Sequence, residues 1–244
     1  MKKVIDINAD LGEGSGNDEK LMPLISSCSI ACGGHYGDEK SMLKAIRLAK
    51  KHNVLVGVHP SFADSENFGR KIISITEKEL SETIFQQITN FKKLCVLEGI
   101  SIHHVKLHGA LYNLSSVDDL TAEAVLKGIL KANAKAKLYV PYDSKLAIKA
   151  KKLLPLVYEA FIDRRYNDDL TLVKRNIDRA IITNAEDAWN QLFEMVMQQK
   201  ITTNSGLKKE IIASSFCVHG DHVNAVEILK YLRMQMKIHS IYTS

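Results

Sequence analysis

Short apolar stretches ending in ionisable residues recur along this chain, separated by helix-like segments. That alternation restricts the fold more than any other feature. In order, the strand ends read Asp10-Leu-Gly-Glu13, His35-Tyr-Gly-Asp38, His59-Pro60, His108-Gly109, Asp163-Arg-Arg165 and His219-Gly-Asp221. Strand and helix alternating about seven times predict a parallel sheet of the α/β class. In such sheets, ligands bind at the carboxyl ends of the strands. Solvation alone does not account for the pattern, because random surface charge would load the amino ends equally. Those ends carry connections such as Asn53 and Gly99-Ile100 instead.

Periodicity and capping place the individual elements. Strands are expected over Val4–Asp10, near Ser26–Cys32, and over Val54–Val58, Ile102–His108, Lys137–Val140, Leu156–Asp163 and Ile211–Cys217. Helices are expected from Asp38 or Ser41 to about His52, from Thr76 to about Glu98, and over Val117–Ala132, Ser144–Leu153, Asn184–Gln198 and Asp221–Met236. Thr76-x-x-Glu79 has the form of a capping box. The segment Asn167–Thr183 is the least regular and suits a hairpin or a lid. No linker, low-complexity tract or repeat divides residues 1–244, so a single domain is expected. An α/β barrel often reaches ~200–250 residues as one domain.

Alternation within the strands then assigns faces. Ile5, Ile7 and Ala9 share one side of the first strand, and Asp6, Asn8 and Asp10 share the other. In a barrel the outer face packs on helices and must be apolar. Lys106 and His108 are therefore expected to point inward with His104, toward Asp6, Asn8 and Asp10. By the same count Glu159 and Asp163 share a face. An antiparallel sheet with one wet face would also alternate, but the intervening helices argue against it.

Charge and composition exclude several classes of function. The net charge of +5 is spread over lysine-rich segments such as Lys127–Lys137 and Lys145–Lys152, without the aromatic-interleaved basic stripe that nucleic acid requires. No apolar run approaches the ~18 residues of a membrane span. Met1-Lys-Lys-Val-Ile-Asp6 lacks the apolar core of a signal peptide. Cys28, Cys32, Cys95 and Cys217 form neither a C-x-x-C pair nor a disulfide framework. A soluble cytoplasmic protein acting on a small molecule is expected.

The chemistry of the strand ends leaves a metal open. His35, His59, His108 and His219 come from separate strands and could converge with Asp10 on a divalent ion, or bind substrate oxygens and move protons. His104 and His108 on one strand would lie ~13 Å apart and could not share an ion. Cys32, with His35 as its base, has the residues of a nucleophile pair, but a cysteine on a buried strand is more often a packing residue. There is no G-x-x-x-x-G-K-[ST] loop for a nucleotide.

With these residues in place, the chain resembles the LamB/YcsF family, the A subunits of bacterial 5-oxoprolinase. The match is carried in order by Asp6-x-Asn-x-Asp-x-Gly-Glu13, Ala31-Cys-Gly-x-His35 with Gly37-Asp38, and His59-Pro-Ser61 with Phe68-Gly-Arg70. It continues through Val105-Lys106 with His108-Gly-Ala-Leu-Tyr-Asn113, Phe161-x-Asp-Arg-x-Tyr166 and Cys217-Val-His-Gly-Asp221. The resemblance implies a distorted seven-stranded parallel β/α barrel like that of glycoside hydrolases and polysaccharide deacetylases. It also implies ATP-dependent opening of 5-oxo-L-proline to L-glutamate together with B and C subunits, with ATP as co-substrate.

On that reading Asp10, Lys106, His108 and Asp163 are the expected catalytic residues. Asn8, Glu13, His35, His59, Arg70, Arg164, His219 and Asp221 are expected to bind substrate. Leu107 stands where the family has a proline, and Asp169 and Arg179 stand where it has glycines. Two alternatives share the same residues: a stand-alone metal-dependent hydrolase or deacetylase acting on an amide or carbohydrate, and a ligand-binding subunit without chemistry.

Overall fold

The computed structural model describes residues 2–133 and 135–243; Met1, Ala134 and Ser244 of the expected 1–244 span lie outside the described residues. The chain runs through β1 (Lys3–Leu11), the single turn α1 (Asp18–Leu21), β2 (Ser27–Ala31), α2 (Glu39–His52), β3 (Leu55–His59), α3 (Glu77–Leu97), β4 (His104–Lys106), α4 (Gly109–Val117) and α5 (Asp119–Asn133). It continues through β5 (Lys137–Val140), α6 (Lys145–Ala150), β6 (Leu156–Phe161), α7 (Ala185–Gln198), the hairpin β7 (Lys200–Thr202) and β8 (Lys208–Glu210), β9 (Ser215–His219), α8 (Ala225–Ile238) and β10 (Ile241–Thr243).

Seven parallel strands, β1-β2-β3-β4-β5-β6-β9, close into a barrel because β9 pairs with both β6 and β1. The expected seven-stranded parallel barrel is the architecture found. β10 adds to β1 outside the ring, with Lys3 opposite Ile241.

Local chemistry fixes the helices around this ring. Asp38 caps α2 through Ser41 and Thr76 caps α3 through Glu79, both as reciprocal capping boxes. Asn53 ends α2 in the left-handed conformation. The buried faces of α2 (Met42, Ala45, Ile46, Ala49) and α3 (Leu80, Ile84, Ile88, Phe91) join one apolar core with the outward residues Ile7, Ala9, Cys28, Ile30, Val56, Val58 and Val105.

Some boundaries differ from the expectation. The fourth strand ends at Lys106, and His108 is the cap residue of a separate helix, α4, that the periodicity did not reveal. Asp118 is extended and separates α4 from α5, so the expected Val117–Ala132 helix is α5 and begins at Asp119. The last barrel strand lies at Ser215–His219 rather than Ile211–Cys217, and an unforeseen hairpin, β7–β8, precedes it. The irregular segment makes two antiparallel bridges, Arg164 to Ile181 and Tyr166 to Leu172. Arg179, where a glycine was expected, has a positive φ of 60°. Asp169 instead accepts from the Thr171 amide at 2.9 Å, closing the turn with its side chain.

The barrel interior is polar. Asp6 accepts hydroxyls from Ser26 at 2.6 Å, Ser27 at 2.8 Å, Tyr139 at 3.0 Å and Ser215 at 2.5 Å, so a buried carboxylate is fully partnered. Cys32 is buried with its thiol toward Gln87 and its pKa driven up by burial, as befits a packing residue. His104 faces inward, bonded to Ser29 Oγ at 3.1 Å and stacked on Tyr139 at 3.9 Å. Burial first, then His103 and Lys106, push its pKa well below the usual value.

A histidine neutral in the folded chain takes up its proton only on unfolding. Its contribution is therefore present above about pH 6.5 and lost as pH falls from there toward the folded pKa, at about 1.4 kcal/mol per pH unit. Urea unfolding between about pH 7 and pH 5 should show a pH slope for His104→Gln that is shallower than wild type by that amount. Equal slopes would contradict the buried neutral ring.

Candidate active site

The carboxyl ends of β1, β2, β3, β4, β6 and β9, together with the start of α4, bring the candidate side chains together in three connected groups. Gly220 makes the approach of β9 to β1 possible, because a Cβ there would land on the Asp10 carbonyl oxygen.

The deepest group is built around Lys106. Its Nζ donates to Asp10 Oδ1 at 2.8 Å, Asn8 Oδ1 at 3.1 Å and Cys217 Sγ at 3.1 Å, and pairs with Glu159 Oε1 at 2.8 Å. Burial opposes the ammonium, but Asp10, Cys217 and Glu159 outweigh it and hold the Lys106 pKa well above the usual value. Burial likewise works against the Asp10 carboxylate, and His59 and Lys106 bring it down to about 2. Glu159 goes the other way: burial raises it despite Lys106. Its other partners are Asn8 at 2.8 Å and Tyr112 at 3.0 Å.

The second group is Glu13 with His35, His59 and His108, all buried, each offering one donor atom within 4.8 Å of the others. Glu13 Oε1 lies 2.9 Å from His35 Nε2, 3.2 Å from His108 Nδ1 and 3.7 Å from His59 Nε2. His35 and His108 stack at 3.6 Å. Burial drives the His35 pKa down, and that of His59 to about 3. Glu13 sits well below the carboxylate range, because the nearby His108, His35 and His59 rings outweigh its burial.

The third group is Asp163 with His219. Asp163 accepts from the His219 backbone N–H at 2.9 Å and faces His219 Nδ1 at 2.9 Å. His219 outweighs the burial of Asp163 and holds its carboxyl far below the usual range. The His219 side chain is 14% exposed, against 6% or less for the cluster histidines, so it meets solvent where they do not. Around this pair, Arg164 Nε, Asp221 Oδ1 and His222 Nε2 are buried without a hydrogen-bond partner among the described residues. Arg70 pairs with Asp221 across the mouth and lies over the Phe68 ring. Arg164 Nη2 donates to the Val173 carbonyl at 2.6 Å.

All twelve residues expected at the site therefore lie at this end of the barrel or just beneath it. Of the five candidate metal ligands, the structure gathers His35, His59 and His108. Glu13 supplies the carboxylate there; Asp10 is 3.6 Å from His59 but bound to Lys106, and His219 is held by Asp163.

Sequence reasoning did not foresee the supporting residues. Ser61 receives His35 Nδ1 at 3.0 Å, and Gln87 Nε2 donates to the Ser61 carbonyl at 2.8 Å. Gln191 donates to the Phe161 and Arg164 carbonyls at 2.9 Å, fixing the end of β6. A glutamine between Ile84, Ile88 and Phe91 on the buried face of α3 was the available signal for Gln87. His222, next to His219-Gly-Asp221, was the signal for a further mouth residue.

Against known proteins, the model of the LamB/YcsF family matches residues 5–244. The chain is 38% identical over 236 residues to a Histophilus somni protein named as the A subunit of 5-oxoprolinase, with 96% of each chain covered. A protein of Shouchella clausii with the same name is 37% identical over 243 residues, covering 97% of this chain and 96% of that one. The crystal structure of a lactam utilization protein from Thermus thermophilus superposes with a TM-score of 0.91 at 33% identity, covering 98% of both chains. No helix among the described residues is long and apolar enough to cross a membrane. From a family match over residues 5–244 and relatives more than a third identical along nearly their whole length, the chain belongs to the LamB/YcsF family.

Proposed function

We propose that this chain is the A subunit of a 5-oxoprolinase. With B and C subunits it opens the lactam of 5-oxo-L-proline to L-glutamate, while ATP is hydrolysed to ADP and phosphate. The observation that carries the reading is the near-full-length similarity to proteins named as A subunits of 5-oxoprolinase.

The mouth offers groups suited to that chemistry. A lactam is a stable amide. Phosphoryl transfer from ATP to its oxygen makes the carbon electrophilic, water then adds, and the C–N bond breaks to give γ-glutamyl phosphate. A second water releases phosphate and leaves glutamate. His219, oriented by Asp163, takes the proton from the attacking water and returns it to the departing ring nitrogen. Arg164 and Arg70 receive the substrate carboxylate and the oxyanion charge. Lys106, enclosed beneath the mouth, positions Asp10 rather than touching substrate.

Reconstitution tests this. Glutamate formation from 5-oxoproline and ATP should require this chain together with its B and C partners. An undiminished rate when this chain is omitted would refute the assignment. The Glu13–histidine cluster favours one other reading, a metal-dependent amide or carbohydrate hydrolase acting alone. Turnover by the isolated chain without ATP, lost on chelation, would establish that reading instead.

A further inference from the structure

The hydrogen bonds around the histidine cluster determine where its protons are. His59 Nδ1 lies 2.8 Å from the Lys106 carbonyl oxygen, and His108 Nε2 lies 2.9 Å from the Phe68 carbonyl oxygen. A carbonyl can only accept, so both of those nitrogens carry hydrogen. His35 Nδ1 faces Ser61 Oγ at 3.0 Å, and that hydroxyl already donates to the Phe62 carbonyl at 2.8 Å. His35 Nδ1 must therefore donate as well.

In the neutral rings the remaining nitrogens, His35 Nε2, His59 Nε2 and His108 Nδ1, are bare lone pairs. All three lie within 3.7 Å of Glu13 Oε1. His108 Nδ1 and His59 Nε2 are 3.0 Å apart, and Glu13 Oε1 is 2.9 Å from His35 Nε2 and 3.2 Å from His108 Nδ1. Four acceptors facing each other in a buried space repel unless something positive lies among them.

We propose that Glu13, His35, His59 and His108 form a four-ligand site for a divalent transition-metal ion, with zinc as the reference ion. The spacing fits. Ligands ~2.0–2.1 Å from a tetrahedral zinc stand roughly 3.3 Å from one another; the three histidine nitrogens lie 2.9, 3.2 and 3.7 Å from Glu13 Oε1, His59 and His108 lie 3.0 Å apart, and all four atoms are within 4.8 Å of one another. The surroundings fit too. A metal-binding histidine donates its second N–H to a carbonyl or similar acceptor, which fixes the ring and its tautomer, and all three rings do so here. Three imidazoles and one carboxylate select zinc and its neighbours over magnesium or calcium.

Such an ion would tie the loops after β1 and β2 to the end of β3 and the start of α4. Its positive charge would balance Glu13 beside the Asp10 carboxylate. Ring geometry, rather than the lactam reading, carries the metal site, and testing it needs no turnover.

The test is calorimetric titration of the full chain, stripped with chelator, using Zn2+ and then Mg2+. One Zn2+ per chain should bind, with no Mg2+ at the same concentrations. At about a hundredfold excess over Kd the melting temperature should rise by roughly 5–10 °C. Co2+ should give the visible absorption of a four-coordinate N3O centre. Glu13→Gln and His59→Gln should each weaken Zn2+ binding at least tenfold, whereas His52→Gln on α2 should leave it unchanged. The stripped wild-type chain is its own control should a variant fold poorly. Absence of stoichiometric binding to that chain would overturn the proposal, and so would NMR evidence that a ring of the cluster is a stable imidazolium. Binding unaffected by either ligand substitution would do the same.

Discussion

Replacing Lys106 with methionine is expected to destabilise the chain by about 3–5 kcal/mol, the range for removing one partner of a buried ion pair. The reason is the company Lys106 keeps. Its ammonium is the cation between Asp10 and Glu159, each 2.8 Å away, and all three side chains are at most 4% exposed. Methionine fills a similar volume but leaves both carboxylates in a low-dielectric interior without their counter-charge. At 2–4 °C per kcal/mol for a chain of this size, the melting temperature should fall by roughly 6–20 °C.

A second substitution separates charge from packing. In Lys106→Met with Glu159→Gln one orphaned charge is gone, so the double variant should be more stable than the sum of the single losses by about 1 kcal/mol or more. A Lys106→Met loss below about 1 kcal/mol, or strict additivity, would show that the interior is solvated or rearranged.

For turnover in the reconstituted enzyme, the largest effect is expected from Asp163→Asn. The carboxylate holds His219 through its backbone N–H and its Nδ1, leaving Nε2 as the basic atom at the mouth. Asparagine keeps the size and one acceptor oxygen, but it loses the charge that stabilises a protonated His219 and can turn its NH2 toward the ring. The fold should survive while glutamate formation falls by roughly 10²–10⁴-fold, the usual contribution of a positioned base. His219→Ala should cost a similar factor, and the double variant little more than either single one, since the two side chains act as a unit. Losses that multiply would mean the residues act separately. Wild-type rates in Asp163→Asn would remove the pair from the mechanism.

Much of this arrangement is legible in the sequence, for a physical reason. A parallel strand buried on both faces shows its inner residues by alternation. Asp6-Ile-Asn-Ala-Asp10 positions, read every second residue, thus display the polar interior directly, and His104, Val105 and Lys106 do the same for β4. The glycines after β1 and β2 mark the turns that bring Glu13 and His35 to the mouth, and Gly220 lets the end of β9, with His219, lie against β1.

The sequence is silent where one residue serves two elements. His108 reads as the last residue of a strand by apolar pattern, yet it caps α4, because Gly109 takes a positive φ and its amide region packs against Gly69. Nor can spacing say which carboxylate meets which histidine. Asp10 and Glu13 are three residues apart on one chain end, and only the turn at Gly12 decides that Asp10 goes down to Lys106 while Glu13 reaches the histidines. The hairpin β7–β8 escaped because each strand has three residues, β8 is fully exposed and β7 buries only Ile201, too little to show a period.

The central claim, that 5-oxoproline is handled at the mouth formed by Asp163, Arg164, His219 and Asp221, is tested most directly by a crystal structure of the chain with 5-oxo-L-proline. The lactam is expected within hydrogen-bonding distance of His219, with its carboxylate against Arg164 or Arg70. Ligand bound at the amino ends of the strands, or on the outer helices with the mouth empty, would contradict the account.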